Sequence, residues 1–375
     1  MRPDPTAVFY ISSHGFGHAV RQIEVINACL ARYPGLRVLV RSDAPAGLFT
    51  DALTCPCPVV PGETDTGVVQ VDSLRVDPAA SIARAWDFHR TLDERAEAEA
   101  RWLRAQGATL VAADMPALAF AAAAVAGIPA VGIGNFTWDW IYAHYGSFVD
   151  VPAGLVSGLE RAYANAAGAW RVQMAAGFET FPTVRDAPLV ARHAGRAPGE
   201  TRARLGLADD RPAVLVSFGR YGLDAIDWAG VGRERDLQVV VTRDAVDIGP
   251  ALPPGADNAA LVRVDLPALV AEGFRYPDLV AAVDVVLTKP GYGIIAECAA
   301  NATGVLYTSR GDFAEYAVLV DAMPGLVRCG YITQPDLFAG RWGPAVRRVL
   351  ARPRVPTPRT DGAAVVAAAL AEYLT

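Results

Sequence analysis

Twice along the chain, short runs rich in valine and isoleucine alternate with helical patterns, and this alternation limits the fold more than any other feature. The first round opens with AVFYI (Ala7 to Ile11), crosses a glycine-containing loop, and enters a helix with the apolar stripe Ile23, Ile26, Leu30 and Tyr33. Strands that alternate with helices in this way imply a parallel sheet covered on both faces. Further strands are expected at Leu36 to Val40, Thr109 to Asp114 and Pro129 to Gly134, and the Ala-rich helix between the last two is closed by Gly127. From Asp51 to Asp77 the pattern fades into Pro, Cys, Gly and Asp, which reads as an irregular surface connection or a short hairpin.

The second round carries strands at AVLVSFG, LQVVVTRD, ALVRVD, DVVLTKP and GVLYTSR. Between the rounds, Pro182 to Gly206 has weak periodicity and many Pro, Gly and Arg residues, so it is the candidate linker. A chain of 375 residues is long enough for two cores. The expected fold class is therefore α/β, with two Rossmann-like, doubly wound parallel-sheet lobes facing a cleft. Residues 1–190 form the first lobe, residues 191–360 the second, and residues 361–375 a C-terminal helix of the kind that often packs back on the first lobe. In such folds ligands sit at the carboxyl ends of strands, so the residues just after each strand matter most.

Composition excludes several classes. With 52% hydrophobic and 20% charged residues the chain reads as soluble and globular. Its net charge is -6 and its arginines are scattered, which leaves no electrostatic footprint for nucleic acid. No apolar signal region and no run long enough to span a bilayer is present. Five cysteines without a secretory signal favour reduced thiols in a cytoplasmic protein. Nothing in the sequence fixes an oligomeric state.

Six segments carry candidate chemistry. In HGFGHAVR, His14 and His18 lie between the first strand and the first helix, and Gly15 and Gly17 let the backbone turn tightly and approach a ligand. A histidine there is a base that titrates near neutral pH, or else it caps the helix or packs in the loop. Asp114 ends a strand on the same rim. It is placed to orient an imidazole, or to cap the helix that follows. In GNFTWDWIYAHYG, the aromatics around Asn135, Trp138, Asp139 and His144 suit a polyhydroxylated ligand, or pack as core.

In the second half, TKPGYGIIAEC sets Lys289, Gly291, Tyr292 and Gly293 between a strand and a helix, where backbone amides and the helix dipole attract a diphosphate. Glu297, one turn on, is placed to accept from a ribose diol. Ser217, Gly219 and Arg220 of SFGRYG could close over the phosphates or form a solvated turn. Asp312 and Glu315 of SRGDFAEY could hold sugar hydroxyls or simply complement a helix start. Phe274 and Tyr276 are placed near a base only by analogy of position.

The succession HGFGHAVR, NFTWDWIYAHY, KPGYGIIAEC, RGDFAEY and DLFAGRW resembles the glycosyltransferase-like N-terminal region of plant L-arabinokinases and their bacterial stand-alone relatives, over nearly the whole chain. That region is similar to the wider GT-B superfamily. The resemblance implies an acceptor-binding first lobe, a second lobe that binds a nucleoside-diphosphate sugar, a histidine base resembling His18, and an aspartate resembling Asp114. It also implies that Gly291, Gly293 and Glu297 hold diphosphate and ribose. Donor-sugar contacts would fall near Asp312, Glu315 and Tyr316, where the usual amide side chains are missing.

The expected activity is therefore transfer of a sugar from a nucleoside diphosphate, read as UDP-linked, to a hydroxyl of a small-molecule acceptor. No cofactor other than this co-substrate and no metal is expected, since no D-x-D pair occurs in a suitable loop. An epimerase or hydrolase acting on the donor alone, or a nucleotide-sugar sensor without turnover, are the rival readings.

Overall fold

The computed structural model describes residues 4–219, 223, 226–242 and 261–374. Strand β1, Thr6–Ile11, is buried along its whole length, which explains why it reads as an unbroken apolar run and not as an alternation. It is the third of seven parallel strands in the order β3-β2-β1-β6-β7-β8-β9. The others are β2 (Arg37–Arg41), β3 (Val59–Val60), β6 (Leu110–Asp114), β7 (Ala130–Gly134), β8 (Gly168–Val172) and β9 (Val184–Ala187). Strands β4 (Val69–Gln70) and β5 (Val76–Asp77) form a separate two-stranded pair.

A second parallel sheet runs β12-β11-β10-β13-β14-β15. Its strands are β10 (Ala213–Ser217), β11 (Gln238–Thr242), β12 (Leu261–Val264), β13 (Val285–Thr288), β14 (Gly304–Tyr307) and β15 (Cys329–Tyr331). The described chain divides into two compact units. One comprises the residues through Val69, Val76–Ala191, and those from Arg359 onward; the other comprises Gln70–Arg75 and Arg192–Pro358. Each sheet supplies its own core: Phe9, Ile11, Ile26, Val38 and Val131 pack in the first, Val214, Leu215, Val240, Val286 and Leu306 in the second. The helix Gly362–Ala369 belongs to the first core through Val366 and Ala367.

Strand order positions the candidate site. In the first sheet the chain runs outward from β1 in one direction and from β6 in the other, so the crevice beyond their carboxyl ends is a topological switch point. The second sheet has the same feature between β10 and β13. The histidine loop and Asp114 follow or end the first pair of strands, and Ser217 and Lys289 lie at the ends of the second.

Two sequence expectations need correction. Pro182 to Gly206 is not a linker throughout: it contains the edge strand Val184–Ala187 and the helix Pro198–Leu205. The strand escaped notice because its middle residues, Arg185 and Asp186, are exposed and polar, as edge strands tend to be. The stretch after Asp51 is not simply superficial either, because Thr64, Asp65 and Thr66 are all buried.

Candidate active site

The first-unit site is assembled on the helix Phe16–Arg32, whose N-cap, Gly15, has φ +138, a conformation that favours glycine. No side chain caps its first amides. His18 lies in the first turn and Arg21 three residues on, so both project from one face. His18 Nδ1 stands 2.9 Å from Asp114 Oδ2. The other carboxylate oxygen accepts from Arg21 Nη2, and Arg21 Nη1 donates to Asn135 Oδ1.

Asp114 is only 1% exposed. Burial alone would raise its carboxyl, but the Arg21 guanidinium and His18 outweigh that and hold it below the usual carboxylate range. A carboxylate at Nδ1 selects the tautomer with its proton there, which leaves the Nε2 lone pair as the ring's basic site. Among the described residues, every hydrogen bond of the ring is made at Nδ1.

A second carboxylate and imidazole lie beside the first pair. Asp65 accepts from Ser12 Oγ at 3.0 Å and from Trp138 Nε1 at 2.9 Å, and its Oδ1 is 3.6 Å from His14 Nε2. Burial pushes Asp65 up to about 6 and His14 down to about 4, with His18 adding to the depression of His14. Gly67, at φ +56, backs onto the His14 ring; a Cβ there would fall 2.0 Å from His14 Cγ. The Trp138 ring lies 6.2 Å from both imidazoles, nearly parallel to His18 and edge-on to His14.

The residues read as acceptor contacts take different places. Asn135 and Trp138 do reach the histidine loop, but as buried framework. Both amide hydrogens of Asn135 are used, on Val172 O at 3.2 Å and Gln173 O at 2.8 Å. Asp139 is buried, with Thr180 Oγ1 3.5 Å from its Oδ2. His144 is exposed in the last turn of the helix Trp138–Tyr145, its ring 5.5 Å from that of Phe148.

In the second unit, Ser217 Oγ shares a 2.6 Å hydrogen bond with Tyr276 OH, and Ser217 O accepts from Thr288 Oγ1, which ties the end of β10 to that of β13. Gly219 follows at φ +72, and Arg220 lies outside the described residues. Gly291 is the N-cap of the helix Tyr292–Ala300, which no side chain caps, and Gly291, Tyr292 and Gly293 are partly exposed. Glu297, on that helix, is buried and accepts from Arg192 Nε, so its carboxylate already has a cation where an open ribose acceptor was expected. Burial raises its carboxyl, against the pull of Arg192.

Phe274 is buried, and the Arg196 guanidinium stands 4.3 Å from its ring centre, so that face does not offer a platform for a base. Asp312 is exposed, while Glu315 accepts from Arg310 Nη1 at 3.3 Å. Sequence reasoning missed Asp65, Arg192 and Arg310, and it quoted the segment HGFGHAVR without giving a role to the arginine that closes it, Arg21. Only Arg21 had a usable signal, its three-residue spacing from His18 on one helix.

This is the fold of the GT-B glycosyltransferases. The glycotransferase of kitacinnamycin superposes with a TM-score of 0.66 at 15% identity, covering 100% of both chains. Arabidopsis thaliana UGT89C1, solved in complex with UDP, superposes with a TM-score of 0.59 at 13% identity, covering 97% of this chain and 94% of that one. In sequence the chain is similar to L-arabinokinase of Arabidopsis thaliana, 30% identical over 353 residues; the match spans 91% of this chain and 32% of that protein, about a third of its length. No protein-family model matches the chain. Among the described residues no helix is long and apolar enough to cross a membrane.

Proposed function

We propose that the chain is a glycosyltransferase that moves a sugar from a nucleoside diphosphate, UDP in the first instance, to a hydroxyl acceptor without a metal. The observation that carries this reading is the 2.9 Å contact from His18 Nδ1 to Asp114 at the switch point of the first sheet. His18 Nε2 takes the proton of the acceptor hydroxyl as its oxygen attacks the anomeric carbon and the bond to the diphosphate breaks. Asp114 keeps the ring in the useful tautomer and stabilises the imidazolium that forms. The amides that open the helix Tyr292–Ala300 stabilise the departing diphosphate, the task a metal would otherwise perform. UDP in the similarly folded plant protein supports UDP as the first donor nucleotide to try.

The test is a panel of UDP-, dTDP-, ADP- and GDP-sugars, scored first by thermal shift and then by mass spectrometry of products with a panel of hydroxyl acceptors. At a hundred times its dissociation constant a true donor stabilises the fold by about 2.7 kcal/mol. A stabilising donor and a glycosylated product support the reading, and a panel in which nothing stabilises the fold contradicts it. One finding favours a second reading, a nucleotide-sugar-binding module without turnover: the relative similar over 91% of this chain is a far longer protein named for a kinase activity. Tight donor binding with no product and no donor hydrolysis would select that reading.

A further inference from the structure

Lys289 follows β13 directly and precedes the Pro290–Gly291 turn that opens the helix Tyr292–Ala300. Its side chain is partly buried, and no carboxylate of the described residues lies within ion-pair distance of its amine. The charged groups that face it come from three segments: Arg310 from the loop after β14, Glu315 from the start of the helix Tyr316–Ala322, and Asp72 from the turn between β4 and β5.

Both acids are already committed. Glu315 accepts from Arg310, and Asp72 accepts from Arg75 Nε at 2.7 Å and from the Leu74 backbone N–H at 2.7 Å. That turn is held against the same strand ends, because Ser73 Oγ donates to Phe218 O at 2.9 Å. Lys289 is thus a half-sheltered amine that meets a fixed guanidinium and, among the described residues, has no counter-ion of its own. Under those conditions the charged form is disfavoured. Burial first and Arg310 second bring the amine down from the ordinary lysine range to about 7.

We propose that Lys289 is a proton-coupled anchor for the donor diphosphate: its amine gains a proton as the diphosphate seats at the Gly291–Gly293 turn. The proton comes from solvent, and the resulting ammonium faces the phosphate oxygens together with the helix amides. The inference rests on the diphosphate reading of this site given above. It requires affinity to fall as pH rises above neutrality, by up to about tenfold per unit, because each binding event must then draw a proton from increasingly alkaline solvent. The window from pH 7.5 to 9.5 isolates the effect, since a terminal phosphate with a pKa of roughly 6 has already lost its proton there.

The test is calorimetry of UDP binding to the full chain at pH 8, in two buffers with different ionisation enthalpies, for the unaltered protein, Lys289→Met and Lys289→Arg. The dependence of the observed heat on buffer counts protons. We expect uptake approaching one proton per UDP in the unaltered protein. Lys289→Arg should bind UDP without uptake, and Lys289→Met should bind it more weakly and also without uptake, with melting curves confirming that both variants fold. UDP binding with no proton uptake in the unaltered protein, or uptake that persists in Lys289→Arg, overturns the inference and leaves the donor reading standing. If UDP, dTDP, ADP and GDP all fail to bind, the diphosphate reading fails and the inference fails with it.

Discussion

The histidine site of the first unit and the strand-end loops of the second differ in what their charges are doing. In the first, His18, Asp114, Arg21 and Asn135 form one interlocked set: the two oxygens of the buried carboxylate meet His18 Nδ1 and Arg21 Nη2, and Arg21 Nη1 donates to Asn135. In the second, Glu297 is occupied by Arg192, Lys289 faces a like charge, and the helix at Gly291 is uncapped. A preorganised base spends no reorganisation energy when the reaction begins, whereas a carboxylate already held by an arginine and an amine beside a like charge must change partners to take a ligand. In the proposed reaction the acid–base side is therefore prepared in advance, and affinity and its pH dependence would be decided on the proposed donor side.

The largest effect should come from breaking the interlocked set. Asp114→Ala leaves the buried Arg21 guanidinium without its carboxylate, and urea denaturation should show a loss of about 3–5 kcal/mol. A loss under one kcal/mol would mean that the set is not the tight unit described. Next comes the donor side. If Glu297 leaves Arg192 for a ribose, Glu297→Gln should weaken UDP binding by about 1.5–3 kcal/mol, the usual worth of a hydrogen bond to a charged group, as read by calorimetry. Unchanged affinity would leave Glu297 a structural ion-pair partner of Arg192.

Gly67→Ala disturbs the packing around the second imidazole, His14. The added Cβ would meet the His14 ring at 2.0 Å, and its φ of +56 strains any residue with a Cβ. A cost of about 1–3 kcal/mol in thermal or urea denaturation follows, of the size that overpacking commonly imposes. The smallest effect is a pH slope. Because the folded value of Lys289 is depressed to about 7, the ligand-free protein gains stability as pH rises from about 7 towards the ordinary lysine value, and loses it as pH falls back through 7. The slope is at most about 1.4 kcal/mol per pH unit, and Lys289→Met should flatten it. A slope unchanged in that variant belongs to another group.

Strands β1, β2, β6 and β7 of the first sheet and β10 to β14 of the second, and the placement of His14, His18, Asp114, Ser217 and Lys289 at strand ends, were legible because a strand–helix alternation determines which loops share a rim; β3, β8, β9 and β15 were not read from the sequence. The contact between His18 and Asp114 follows from β1 and β6 being neighbours at the point where strand order reverses. Asp65 was not legible: it sits among Pro, Gly and Thr with no period, and only the tertiary fold buries it under Trp138. Arg192 and Arg310 give no local sign of their partners either, since an arginine near a loop reads the same whether solvated or paired. The roles of Asn135 and Trp138 as framework are invisible in sequence because a buried amide or indole reads the same there as a ligand-facing one.

His18→Ala removes the proposed base itself. Asp114 keeps Arg21 as a partner in that variant, so the fold should persist and UDP should still bind, as calorimetry can verify. With the donor and acceptor that give product, the account predicts a fall in turnover of about 10²–10⁴ at nearly constant UDP affinity. Turnover equal to that of the unaltered protein would contradict it.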